Sequence, residues 1–259
     1  MASGQKAGPI KIRLQAVTRS FGAVIPVRNL TLDVDTGERI ALIGPSGAGK
    51  TTLLRLINGA LEPDSGTVDV DGHRWGGSRS RDRDMRSRIG VVYQHFNLVP
   101  SLSVVRNVQA GKLGQLPALL AVWKFLMPET REIAPILRKF GIEEKIHERT
   151  ERISGGEQQR AAIARAMFQD PDIMLADEPI ASVDPGLSQL IIDTLNAWSV
   201  EKGSTLIVSL HQVEFARNNF GRLIGLRDGK IRFDTAPSNV TAAMLEDLYE
   251  KERLVDGTG

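Results

Sequence analysis

An apolar run, Ile40-Ala41-Leu42-Ile43, passes directly into Gly44-Pro45-Ser46-Gly47-Ala48-Gly49-Lys50-Thr51-Thr52, and then into Leu53-Leu54-Arg55-Leu56-Ile57, whose apolar residues recur at helical spacing. No other stretch restricts the fold as much. Strand, tight glycine-rich turn and helix, in that order, belong to an α/β core, and the turn is a phosphate-binding loop. The glycines let backbone N–H groups turn inward around the β- and γ-phosphates of a nucleotide. The helix beginning near Gly49 adds its positive end, and Lys50 adds a mobile charge. Thr51 offers a hydroxyl to Mg²⁺, an ion that usually keeps several of its waters. A glycine-rich turn without a ligand is the plainer alternative, but it leaves the lysine and hydroxyl unexplained. The pattern implies a bound nucleoside triphosphate.

The rest of the chain supplies what such a core needs. Ile10–Leu14 and Leu30–Val34 alternate with period two and predict half-buried strands. Between them Ser20-Phe21-Gly22 holds an aromatic at a turn; Phe21 reads most simply as core, with stacking on an adenine as its other possible role. Thr67–Val70 and Ile89–Tyr93 predict further strands, the second ending at Gln94. From about 95 to 151 the pattern turns helical, with helices expected over 103–110, 117–127 and 129–140 and a kink at Pro135. This block interrupts the alternation of strand and helix and predicts an inserted subdomain. Its apolar stretch, Leu116 to Met127, reads first as packing within that subdomain and alternatively as an exposed patch for a membrane subunit. An amphipathic helix follows Ile153-Ser154-Gly155-Gly156-Glu157, then a continuous apolar run, Ile173–Ala176, suited to a central parallel strand. A helix from Pro185, a strand at Thr205–Ser209, a hairpin around Asp228-Gly229 and a short helix, Ala242 to Glu250, complete the chain.

Two further features carry chemistry. The run at 173–176 ends in Asp177-Glu178. An acid at the tip of a strand beside the phosphate loop can hold Mg²⁺, and the next can polarise an attacking water. Two acids capping the following element would be the plainer account. Ser154-Gly155-Gly156 opens a helix and so forms a second anion-binding end. One nucleotide has one γ-phosphate, already assigned to Lys50, so this end suggests a phosphate presented by another copy of the chain. Ser154 as an ordinary helix cap is compatible with that.

With these residues in place, the chain resembles the ATP-binding subunits of ABC transporters along nearly its whole length. Gly44 to Thr51 matches the Walker A motif, Ile173 to Asp177 matches Walker B, and Glu178 stands at the family's catalytic glutamate. Ile153 to Glu157, followed by Gln158-Gln159-Arg160, is similar to the signature Leu-Ser-Gly-Gly-Gln, with Ile and Glu replacing its ends. Gln94 matches the Q-loop, Ser182-Val183-Asp184 the D-loop, His211 the switch histidine, and Phe21 the adenine-stacking aromatic. The resemblance implies a P-loop NTPase (RecA-like) core with an antiparallel β subdomain and an inserted α-helical subdomain. It implies one domain over 10–259: core and β subdomain at 10–94 and 152–240, helical subdomain at 95–151, and a C-terminal helix and tail at 241–259. Residues 1–9 read as a flexible tail.

The resemblance also implies the mechanism. Two copies close head to tail, each phosphate loop facing the partner's signature across one ATP. Lys50 and Mg²⁺, held by Thr51, Asp177 and Gln94, neutralise charge on the γ-phosphoryl; Glu178 orients water; His211 contacts the γ-phosphate. Around the motifs, Gln94–Ser103, Asp177–Ser182 and Leu210–Val213 look most like the phosphonate-import ATPases. The similar amino-acid importers usually carry Thr-Ser-Ala-Leu-Asp and Thr-His-Glu where this chain has Ile180–Asp184 and Leu210-His211-Gln212. The expected solute is therefore a phosphonate or a related phosphorus oxyanion, with import of polar amino acids as the alternative. A soluble, non-transport ABC ATPase is the second alternative. It usually has two nucleotide domains or coiled-coil insertions, and this chain has one of each motif and no heptad run.

Composition narrows the setting. The net charge of +2 gives no reason to expect nucleic-acid binding. Five arginines between Arg79 and Arg88 are interleaved with Asp82 and Asp84 and predict a solvated helical face. The absence of cysteine excludes thiolate nucleophiles and disulfides. No apolar core of a signal peptide follows Met1, and no stretch is long enough to span a bilayer. The expectation is a peripheral protein on the cytoplasmic face of a bacterial inner membrane, paired with separate integral membrane permease subunits and, indirectly, a solute-binding protein. No added regulatory domain is expected after the last strand.

Overall fold

The computed structural model describes residues 10–181 and 183–249. In chain order it has β1 (Ile10–Phe21), β2 (Val24–Asp35), β3 (Arg39–Ile43), α1 (Lys50–Ile57), β4 (Ser65–Val70), β5 (His73–Arg74), α2 (Arg79–Ser87) and β6 (Ile89–Val92). Three helices follow: α3 (Val104–Leu113), α4 (Ala118–Leu126) and α5 (Thr130–Lys139). Then come α6 (Gly155–Phe168), β7 (Ile173–Asp177), α7 (Pro185–Lys202), β8 (Thr205–Leu210), α8 (Val213–Asn219), β9 (Arg222–Arg227), β10 (Lys230–Thr235) and α9 (Ala242–Tyr249). The expected flexible tail at 1–9, Ser182 of the D-loop, and residues 250–259 of the expected C-terminal helix and tail lie outside the described residues.

The strands form two sheets. One runs β2-β1-β4-β5, antiparallel throughout; the other runs β10-β9-β3-β8-β7-β6, parallel except for β10. The central strands are buried on both faces, and their alternation assigns each face to a separate core. Ala41, Ile43, Met174, Ala176, Leu206, Val208 and Leu210 join Ile163, Ala164, Ile191, Ile192 and Leu195 from α6 and α7 on one side. Ile40, Leu42, Ile173, Leu175 and Ile207 join Leu53 and Leu56 of α1 and Ile12, Leu14, Leu32 and Val34 of the antiparallel sheet on the other. Arg222 ties the two sheets together, donating to Glu38 Oε2 at 2.7 Å, Asp234 Oδ1 at 2.6 Å and the Asp33 carbonyl at 3.1 Å.

β1 and β2 are longer than their period-two pattern predicts, because each carries a bulge. Ala16 (φ 49°) and Asn29 (φ 46°) take left-handed backbone, and the register shifts between Leu14 and Val17. The extra residue returns Val17 and Val27 to the core face, where both are fully buried. Threonine hydroxyls close the gaps: Thr31 Oγ1 accepts from the Ala16 N–H at 3.1 Å, and Thr18 Oγ1 from the Asn29 N–H at 3.0 Å.

α3, α4 and α5 lie between β6 and α6 in the chain, where a helical block was expected, and Pro135 sits inside α5. Gly111 lets α3 approach α6 closely; a Cβ there would sit 2.4 Å from the Arg165 carbonyl oxygen. The buried Asn107 side chain accepts from the Val99 N–H at 2.8 Å and donates to Thr150 Oγ1 at 3.2 Å, fastening the segment after β6 to the one before α6. The arginines of α2 are exposed as expected, while Asp82 and Met85 turn inward and Asp82 pairs with His73 at 2.7 Å.

Two expectations fail. Phe21 is not core: it is 48% exposed beside the turn at Gly22, with the Arg19 guanidinium 4.8 Å from its ring centroid. The stretch from Leu116 to Met127 does not pack away inside its subdomain, because no residue of α4 is buried. Apolar composition alone does not say whether a neighbouring element is available to cover a helix.

Candidate active site

β3, β8, β7 and β6 are parallel neighbours, so their C-terminal ends form one edge. In register, Ile43 stands beside Leu210, Asp177 beside Ser209, and Val92 beside Ala176. The phosphate loop leaves β3, Glu178 follows β7, His211 follows β8, and Gln94 comes two residues after β6. With about 4.8 Å between strands, the loop and Asp177 lie roughly 10 Å apart across β8. Ligands of open parallel sheets bind at this edge.

The loop fits a polyphosphate. Gly44, Gly47 and Gly49 have φ of 149°, 76° and 105°, values an L side chain resists. A Cβ on Gly44 would meet the Leu226 carbonyl oxygen at 2.0 Å, and one on Gly49 the Pro26 carbonyl oxygen at 1.9 Å, whereas Gly47 faces open space. The first turn of α1 has no side-chain cap and no acidic residue, so its N–H groups point at the loop's concavity without a competing anion. Lys50 Nζ folds back across the loop, donating to the carbonyls of Gly44 at 2.6 Å and Pro45 at 3.0 Å. Pro45, Ser46, Ala48, Thr51 and Thr52 complete this segment.

Glu178 is gripped from several sides. Its carboxylate accepts from Gln94 Nε2 at 3.0 Å and lies 2.5 Å from His211 Nε2. Its backbone is left-handed, φ 50°, which costs a non-glycine residue about 1–2 kcal/mol. Two side chains that sequence reasoning missed hold that turn. Ser209, fully buried, accepts the Glu178 N–H at 2.9 Å and donates to Asp177 Oδ1 at 2.7 Å. Gln159 of α6, 3% exposed, donates to the Pro179 carbonyl. A third missed residue, Arg165 of α6, donates to the carbonyls of Phe96 at 2.9 Å and Asn97 at 2.6 Å, fixing the positive-φ turn behind Gln94. Burial pulls the Arg165 guanidinium below its usual pKa range. For Ser209 and Arg165 the sequence offered only a polar side chain on an apolar strand or helix face, and for Gln159 only its place directly after the signature-like residues.

The start of α6 sits elsewhere. Ser154 is exposed and caps the helix: its Oγ accepts from the Glu157 N–H at 3.3 Å, while Glu157 Oε2 accepts from the Ser154 N–H at 2.8 Å. This is a full capping box, made possible by Glu at the signature's last position. The hydrogen bonds from the Ser154 backbone and hydroxyl hold the Glu157 carboxyl below its ordinary pKa. Ile153, at the other changed position, is core. Gly155 and Gly156 have no positive φ, and a Cβ on either would meet nothing within 4 Å. Nothing inside this chain requires glycine there. Asp184 caps α7, accepting from the Leu187 N–H at 2.9 Å.

Comparison with known proteins gives the family of this chain. Residues 27–181 match the family described as ABC transporter. The chain is 41% identical to phosphonates import ATP-binding protein PhnC 2 of Halalkalibacterium halodurans, over 92% of this chain and 99% of that one. It is 44% identical to the protein of the same name from Oceanobacillus iheyensis, over 86% and 89%. A bacterial ABC transporter cassette solved as a dimer superposes with a TM-score of 0.77 at 29% identity, covering 87% of this chain and 98% of its own. A post-hydrolysis dimer of an ATP-binding cassette with ADP and Pi gives 0.74, with the same identity and coverage. The family match over residues 27–181 and relatives more than 40% identical over most of both chains place this chain in the ABC transporter family.

Proposed function

We propose that this chain is the ATP-hydrolysing subunit of an ABC importer for phosphonates, working as a homodimer against integral membrane permease subunits. The observation that carries the composite site is the pair Gly155 and Gly156, open glycines required by neither their own backbone nor their own chain. Glycine in such a place suits the close approach of something from outside, here the γ-phosphate held by a second copy's loop. The dimeric cassette similar to this chain supports the pairing.

In this reading the first-turn N–H groups of α1 and Lys50 take the phosphates, and Lys50 releases its loop carbonyls to do so. Phe21 stacks on the adenine, for which its exposure suits it. Thr51, Asp177 and Gln94 offer a hydroxyl, a carboxylate and an amide carbonyl, the hard oxygen donors that Mg²⁺ takes, and a bound Mg²⁺ supplies charge neutralisation at the phosphates. Glu178 orients water once one of its oxygens is freed from Gln94 or His211, and His211 turns to the γ-phosphate. Ser154 and Gly156 meet the partner's nucleotide. No helix among the described residues is long and apolar enough to cross a membrane, in keeping with a peripheral subunit on the cytoplasmic face. A groove of about 500 Å³, lined by Arg83, Arg86, Tyr93, Asn97, Gly111 and Arg165, lies beside the Gln94 turn and suits a permease segment. The names of the relatives support phosphonate as the solute, delivered by a solute-binding protein.

Deleting this subunit should abolish growth on a phosphonate as the only phosphorus source and spare growth on phosphate; unchanged growth on both would overturn the solute. For the shared site, Glu178→Gln should bind ATP and accumulate as a dimer in gel filtration. A monomer with ATP demonstrably bound would refute it.

A further inference from the structure

Among the described α-helices, α4 alone buries none of its residues. Leu119, Val122, Trp123 and Leu126 are 89%, 61%, 56% and 62% exposed. At spacings of three and four residues they form one continuous outer stripe, and Met127 extends it. Leu120, also on α4, is 40% exposed, whereas Phe21, Val24, Val99, Leu190 and Val200 are distant from the stripe in sequence. A contiguous apolar stripe held in water marks an interaction surface.

Three observations identify the occupant. The first is shape. None of the residues of α4 is buried, so the stripe stands as a convex ridge, which a fluid bilayer accepts and a protein partner must match with complementary relief. The second is charge. α4 contains no acidic residue, and residues 104–139 carry six basic side chains against two acidic ones, although the whole chain has a net charge of only +2. Arg106, Lys112, Lys124 and Arg131 fall on α4 or on the helices flanking it in the chain; Lys112 and Lys124 pair with Glu132 and Glu129, the two acids of this segment, and the surplus remains positive. The third is chemistry and length. Trp123 supplies an amphipathic ring of the kind that settles at a membrane–water boundary. Nine residues make about 14 Å of helix, under half a bilayer's hydrocarbon thickness, so such a helix lies in the membrane plane.

We propose that α4 is an in-plane anchor that sets Leu119, Val122, Trp123 and Leu126 into the headgroup–acyl boundary of a bilayer containing anionic lipid. The importer reading contributes only the nearness of a membrane. An anchor here holds the helical segment between Gln94 and Ser154 at the lipid surface, independently of contacts made to the permease.

The test uses the full purified chain with vesicles of phosphatidylcholine, with or without a quarter of phosphatidylglycerol. The chain should float with the anionic vesicles, with a blue shift of tryptophan emission. The triple variant Leu119→Ser, Trp123→Ser, Leu126→Ser should lower the partition coefficient by at least about tenfold and abolish the shift. These side chains are exposed, so the variant should melt with the wild type, and with the permease in detergent it should keep its ATP turnover. No binding of the wild type to anionic vesicles, or equal binding by the variant, overturns the proposal. A variant that no longer copurifies with the permease in detergent assigns the stripe to the permease instead, and a wild-type dimer dissolved by the variant assigns it to a second copy. The importer reading fails separately, in the growth test, which leaves the vesicle result standing.

Discussion

Replacing Ser209 by alanine removes one oxygen atom that is shielded from solvent, yet it should slow ATP hydrolysis. The hydroxyl accepts the Glu178 N–H and donates to Asp177 Oδ1. In a fully buried position water cannot readily replace it. Two groups are orphaned at about 1–3 kcal/mol each, so a loss of roughly 2–6 kcal/mol is expected. At about 2–4 °C per kcal/mol for a chain of this size class, Tm should fall by roughly 4–24 °C. The kinetic effect has a separate origin. Glu178 holds a left-handed backbone conformation worth about 1–2 kcal/mol of strain, and the Ser209 bond helps to keep it there. Released, Glu178 relaxes away, and kcat should drop about five- to thirtyfold, since 1.36 kcal/mol is a factor of ten. Nucleotide affinity should stay within about threefold of wild type, because 1.36 kcal/mol is again tenfold and the phosphate loop is intact. The assays are thermal melting, ATP turnover with the permease complex, and nucleotide titration. Ser209→Thr keeps the hydroxyl but adds a methyl group to a packed site, at about 1–3 kcal/mol. It should recover most of kcat while Tm stays low. A Ser209→Ala protein with reduced Tm but a kcat within about twofold of wild type would refute the argument that Ser209 positions Glu178.

Phe21→Ala should raise Kd for ATP by about five- to thirtyfold, the loss of 1–2 kcal/mol of base stacking. Stability should hardly move, because the ring is half exposed; a fluorescent-nucleotide titration reads this. Gly156→Leu should fold and bind ATP normally, since its side chain meets open space within the chain, but in a Glu178→Gln background it should prevent the ATP-dependent dimer in gel filtration. Glu157→Gln tests the capping box. The Glu157 carboxyl is held below its ordinary pKa of 4.5 by the Ser154 backbone and hydroxyl. Its stabilising effect is therefore complete above about pH 4.5 and is lost as pH falls through the lower folded value. The variant should melt below wild type at neutral pH, and the two curves should converge in acid; a gap that persists undiminished at low pH would show that the charge is irrelevant.

Much of this protein was legible in sequence because its key segments are local. The loop at Gly44–Thr51 is set by the φ values of its own glycines and by a strand and helix immediately on either side. The continuous apolar run at 173–176 announced a central parallel strand and Thr205–Ser209 a further strand, and the two lie side by side at the edge where Asp177, Glu178 and His211 emerge. Strand length was misjudged where alternation breaks: Ala16 and Asn29 are bulges closed by Thr31 and Thr18 from the opposite strand, and a period count along one strand cannot contain its partner. Only the tertiary structure showed that Ser209 reaches across to Asp177 and Glu178, and that Gln159 and Arg165 tie the signature helix to the turns holding Glu178 and Gln94. These bonds join residues tens of positions apart, so no local pattern encodes them. The same reason governs Phe21 and α4. Their apolar character is written in the sequence, but whether an apolar side chain is core or surface depends on whether another element arrives to cover it, and for these two none of the described elements does.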